Sequence, residues 1–87
     1  MKTHKLKILP FFFRELEAGR KTVEFRLDDR AYAVGDKLVL QEHDLKSYTG
    51  RELERTVRAV YDVTNIMCLA GEPLKNQWVL LELEEAL

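Results

Sequence analysis

Pro10 and Gly19 bracket the one helix-like stretch in a chain whose other apolar segments alternate with period two. Proline fits the first turn of a helix, where its missing N–H loses no partner. Glycine fits the left-handed position past a helix end, because it has no Cβ to clash there. Phe11 to Ala18 therefore reads as a helix, with Phe12, Phe13 and Leu16 spaced toward a core and Glu15 and Glu17 outward. Phe11 is the phenylalanine that this geometry leaves exposed. Consecutive phenylalanines also suit stacking on bases. A chain of 87 residues needs bulky core anchors, so core packing is the expectation for them.

The remaining segments read as strands. His4–Leu9 comes first and ends at Pro10. After the helix, Thr22–Leu27 alternates, with Val23, Phe25 and Leu27 expected inward and Glu24, Arg26 and Asp28 outward. Asp28–Asp36 is a loop with one helical turn near Asp29–Tyr32, closed by the Gly35-Asp36 turn. Lys37–His43 is the third strand and Asp44–Gly50 a loop. Arg51–Val63 is a long fourth strand, where Arg55 on the apolar parity predicts a bend or bulge. Thr64–Lys75 is an irregular connection that tucks Ile66, Met67 and Leu69 under the sheet edge, and Asn76–Glu85 is the last strand. Trp78 reads as a core or rim residue. Val23, Phe25, Leu38, Leu40, Val57, Val79 and Leu81 are expected to line one core. The fold class is mainly β with α (α+β): one domain over residues 1–87, a small, partly closed mixed β-barrel of five strands with the helix after the first.

Hydrophobic residues at 46% and charged residues at 33% fit a soluble globular protein rather than a disordered one. No segment reaches the roughly 20 apolar residues of a membrane helix. Lys5 and Lys7 interrupt any leader-like apolar run, so no membrane and a cytoplasmic location are expected. The net charge of −1 argues against a domain that grips duplex phosphates at many points, but leaves room for a local basic patch. Cys68 is the single cysteine; it has no disulfide partner and no zinc-ligand spacing, and reads as a buried, inert thiol. His4 and His43 lie far apart, so no metal is expected. The lone serine, Ser47, lacks a glycine-flanked nucleophile turn, and there is no phosphate-binding glycine loop. No cofactor is expected.

The candidate site is where the helix hands over to the second strand. Lys21, Glu24 and Arg26 gather there. Two readings stand open: a solvated strand face with an ion pair, or a ligand-binding cluster. Lys7, Arg30 and Arg51 are further basic candidates. Arg30 follows two aspartates that can pair with it, and Arg51 can reach across a cleft.

Several motifs in fixed order carry a resemblance. They are His4-x-Leu6-Lys7-Ile8-x-Pro10, Gly19-x-Lys21-x-x-Glu24-x-Arg26, Asp29-Arg30, Val34-Gly35-Asp36, the Leu38-Leu40-Glu42 strand and Tyr48-Thr49-Gly50-Arg51. From His4 to Leu83 the chain resembles the ASCH domains, and within them a small family of uncharacterised phage and bacterial proteins. The resemblance implies a PUA-like barrel with a cleft beside the helix that binds RNA or a modified nucleotide. It places Lys21, Glu24 and Arg26 in that cleft, with Arg30 and Arg51 as lesser candidates. Some ASCH-like proteins resemble amidohydrolases that remove the acyl group of N4-acetylcytidine with a Lys, a Thr and a Glu. Lys21 and Glu24 would be the catalytic candidates of such an enzyme. The threonine of that pattern falls on Glu24, which removes the hydroxyl nucleophile. The expected function is therefore an RNA- or modified-nucleotide-binding module. A nucleoside amidohydrolase and a phage-derived protein-interaction factor are the alternatives.

Overall fold

The computed structural model describes residues 1–64, 66, 71 and 77–85. In chain order the elements are β1 (Thr3–Ile8), α1 (Pro10–Glu17), β2 (Val23–Leu27), β3 (Lys37–His43), β4 (Tyr48–Asp62) and β5 (Trp78–Glu85). The strands form one sheet in the order β1-β3-β4-β5-β2. β1 runs parallel to β3, and every other pair is antiparallel. This is the expected α+β architecture: five strands with the helix after the first.

α1 starts and stops for local reasons. Pro10 occupies its first turn, and the N-cap residue, Leu9, makes no side-chain cap bond. At the other end Gly19 adopts φ +80°. The amide of Gly19 donates to the Leu16 carbonyl at 3.1 Å, and that of Arg20 to the Glu15 carbonyl at 3.0 Å. That pair of bonds is a Schellman ending. Arg55 of β4 donates to the same Leu16 carbonyl from Nη2 at 3.0 Å. The polar residue on the apolar parity of β4 thus satisfies a helix end.

The core is the inner face of the curled sheet closed by α1. Leu6, Ile8, Phe13, Leu16, Leu38, Leu40, Val57, Val79, Leu81 and Leu83 are all buried in it. The bulge in β4 lies between Val57 and Ala59, a little beyond Arg55. It reverses the parity of the strand, so that Val60, not Tyr61, packs on the core opposite Leu81.

Two expected core members do not belong to it. Phe25 is 50% exposed and Val23 is only half-buried. The β2–β5 register gives the reason. Glu24 pairs with Leu81 and Arg26 with Val79, so these two residues share the inward face, and Phe25, paired with Leu80, points outward. Phe12 is also more exposed than expected, at 42%, whereas Phe13 and Leu16 are fully buried.

The other differences are local. Residues 29–32 form no helical turn: Ala31 takes φ +50°, and Tyr32 folds back into the core beside His4. β4 begins at Tyr48, so Tyr48–Gly50 is strand rather than loop. Ile66 is exposed rather than tucked under an edge. Met67, Cys68 and Leu69, and with them the expected buried thiol, lie outside the described residues.

Candidate functional site

A sheet with this strand order leaves β1 and β2 as its two edges, and they share no ladder. Side chains bridge them instead. Arg26 donates from Nη2 to the Lys7 carbonyl at 2.8 Å, and Arg30 from Nη1 to the Lys5 carbonyl at 3.1 Å. Carbonyls two residues apart on a strand point the same way. Two guanidinium groups thus occupy acceptors on β1 at the open seam of the barrel.

Next to that seam, between α1 and β2, lies a cleft of about 350 Å³. Lys7, Ile8 and Leu9 form its β1 side, Phe12 its helix side, and Lys21, Glu24, Phe25 and Arg26 its β2 side. Glu24 is its hub. The residue is 5% exposed, and each carboxylate oxygen has its own cation. Oε1 accepts from Lys21 Nζ at 2.7 Å and Oε2 from Arg26 Nε at 2.8 Å. A buried carboxylate is tolerated only when paired and hydrogen-bonded. Lys21 is fixed further by donating to the Val23 carbonyl, and its ammonium lies 5.7 Å from the Phe12 ring centre. The Schellman turn sets this up: Lys21 leaves the helix with its own amide on the Glu15 carbonyl at 3.0 Å.

The arrangement can recognise an anion and a planar group together. Three cations and one carboxylate line the cleft, alongside Phe12 and Phe25. Among the described residues no serine or threonine lines the cleft. Thr22 is exposed, and its backbone carbonyl accepts from the Leu83 amide. Among the described residues no group of His, Cys, Asp and Glu could hold a metal.

The structure brings Lys21, Glu24 and Arg26 together; Lys7 lines the same cleft, but its Nζ lies 5.7 Å from the Tyr48 ring centre. Arg30 lines an adjoining hollow with Arg26 and Phe25. Arg51 lines neither. Its Nη2 donates to both Glu17 carboxylate oxygens at 2.8 and 3.0 Å, and its guanidinium sits 4.7 Å from the Phe13 ring centre. A neighbouring buried carboxylate, Glu42, accepts from Thr49 Oγ1 at 2.6 Å. Phe12 and Phe25 are lining residues that the sequence pattern assigns to the core. The signal that points to Phe12 is three consecutive phenylalanines in a helix of eight residues, which cannot all face one side.

Outside the cleft lining, Asp36 ties the N-terminal strand to the turn before β3. It accepts from the Lys2 amide at 3.0 Å, His4 Nε2 at 2.8 Å and the Ala33 amide at 3.1 Å. The Lys2 amide foremost, then the His4 side chain, bring its pKa down to about 2. Burial pushes the Tyr32 phenol above its ordinary value.

The five-stranded mixed half-barrel with one helix after β1 is an ASCH/PUA-like fold. Two solved structures share the fold. One is the hypothetical protein PH0355, with a TM-score of 0.67 at 18% identity, covering 99% of this chain and 100% of that one. The other is a ZmASCH mutant protein from Zymomonas mobilis, with a TM-score of 0.68 at 17% identity, covering 98% of this chain and 70% of that one. The chain belongs to the family described as domain of unknown function DUF3850, which it matches over residues 3–83. An uncharacterized 12.9 kDa protein of Escherichia phage P2 is 36% identical over 64 residues, 74% of this chain. The chain spans 59% of that relative's length. Among the described residues no helix is long and apolar enough to cross a membrane.

Proposed function

We propose that this protein binds RNA or a modified nucleotide in the cleft beside α1. The observation that carries the reading is local charge. A chain of net charge −1 sets Lys21 and Arg26 on one buried carboxylate, in a cleft that Phe12 and Phe25 also line. Arg26 and Lys21 contact phosphate or base acceptors, and Glu24 accepts from an exocyclic amine or holds Arg26 in place. The rings of Phe12 and Phe25 supply stacking surface. The ASCH-type fold of the structural neighbours supports the same reading. Hydrolysis in this cleft would have to use a water activated by Lys21 or Glu24, and both already hold each other as an ion pair, so we favour binding.

The test is isothermal titration with single-stranded RNA and with a panel of methylated and acylated nucleosides and nucleotides. Each mixture is also followed by chromatography. Saturable binding without turnover, abolished in Arg26→Glu, is the expected result. Turnover that disappears in Lys21→Ala would establish the amidohydrolase instead. Absence of any binding would leave the cluster as an ion pair only.

A further inference from the structure

A second hollow of about 260 Å³ lies beside the cleft and shares Phe25 and Arg26 with it. Each hollow is near or below the lower end of the roughly 300–1,000 Å³ range of small-molecule sites. The two together form one track along β2, with Arg26 at their common wall. We propose that the ligand is a single-stranded oligonucleotide of at least two residues. One base sits in the cleft beside α1, the next in this second hollow, and the phosphate that links them lies at Arg26. The inference rests on the nucleotide-binding reading and adds the length of the ligand to it.

The second hollow has the chemistry of a base site rather than a phosphate site. Asp29 and Arg30 both line it, so it offers a carboxylate acceptor beside a guanidinium donor. A base edge carries both complements, whereas a phosphate carries acceptors only and would leave the Asp29 carboxylate without a donor. Its aromatic wall is a stacked pair: the Phe25 and Trp78 rings lie 5.0 Å apart and only 7° from parallel. Trp78 covers one face of Phe25, yet Phe25 remains 50% exposed. An outward phenylalanine braced by a tryptophan is a platform on which a base can stack.

Arg26 suits the linking phosphate. It spends Nε on Glu24 and one Nη2 hydrogen on the Lys7 carbonyl. A guanidinium carries more N–H donors than these two bonds use. It is also held rigidly from both sides, so binding need not order it again. Asp29 lies on the base side of this arrangement, in the second hollow only.

The experiment compares the four ribonucleoside 5′-monophosphates, the matching 3′,5′-bisphosphates and the 5′-phosphorylated homodinucleotides on the full chain. Calorimetry reads affinity. The emission of Trp78, the single tryptophan, reports occupation of the second hollow. The dinucleotides are expected to bind about tenfold more tightly than the mononucleotides and to quench Trp78. The bisphosphates should gain less and leave the emission unchanged. In Arg30→Ala the dinucleotide advantage should fall to about twofold. Dinucleotides that bind no better than the bisphosphates, or that leave Trp78 emission unchanged, would overturn the second site while the nucleotide cleft stands. Absence of binding by every probe would overturn both.

Discussion

Arg26 on β2 donates to the backbone carbonyl of Lys7 on β1 at 2.8 Å, joining two edge strands that share no ladder. The same guanidinium holds Glu24 through Nε. Arg26 therefore ties the barrel seam, alongside the Arg30 bond to the Lys5 carbonyl, and shapes the cleft beside it. A lysine in its place has one compact ammonium and cannot serve two partners in fork geometry.

Replacing Arg26 with alanine should cost about 2–3 kcal/mol of stability, because it leaves the buried Glu24 with one cation and frees the Lys7 carbonyl. Arg26→Lys should recover less than half of that loss. Urea denaturation of the three proteins measures both. An Arg26→Ala midpoint equal to that of the parent would mean that the seam does not depend on this tie.

Glu24 and Arg26 should also be energetically coupled. Glu24→Gln keeps the shape and one acceptor but leaves Lys21 and Arg26 without a countercharge, at a cost of about 2 kcal/mol. Contacting residues in one ion-pair network are non-additive. The double variant Glu24→Gln with Arg26→Ala should therefore lose less than the sum of the single losses, by about 1 kcal/mol or more. Strict additivity in a double-mutant cycle would show that the pair is a geometric coincidence.

The strands and helix were legible because each has a local cause. Pro10 and Gly19 delimit α1, and Gly35 at φ +93° makes the turn before β3. The direction of β2 was not legible. Alternation separates Glu24 and Arg26 from Val23 and Phe25, but parity alone does not say which set faces in. Hydrophobicity points one way; the β5 register, a long-range fact, decides the other. Lys21, Glu24 and Arg26 still meet after that reversal, since both cations bond the Glu24 carboxylate. The cluster becomes a buried pair network instead of a surface one. Arg51 could not be placed from sequence, because its partner Glu17 lies 34 residues away, at the end of α1.

The nucleotide-binding reading makes a prediction about salt. Lys21→Ala should weaken single-stranded RNA binding and reduce the slope of log affinity against log salt by about one unit, the share of a single neutralised phosphate. A variant that lowers affinity with an unchanged slope would place Lys21 on the base or on Glu24 alone. Titrations at four ionic strengths separate these outcomes.

Acid should weaken the fold through Asp36. Its carboxyl is held at about 2 against an ordinary 3.8, first by the Lys2 amide and then by the His4 side chain. The folded state therefore binds this proton less readily than the unfolded chain. The stabilisation is fully present above the unfolded value and is lost as pH falls through the folded one. Melting temperature should thus decline between about pH 4 and pH 2. Asp44 and Asp62 also have lowered values, set by the backbone amides of Ser47 and Thr64, and they add to the same decline. Asp36→Asn isolates the Asp36 share. It should cost about 3 kcal/mol at neutral pH, the range for breaking one side of a buried pair. It should also flatten, though not abolish, the acid slope. Parallel slopes for parent and Asp36→Asn would mean that the Asp36 carboxylate contributes nothing to the acid response of the fold.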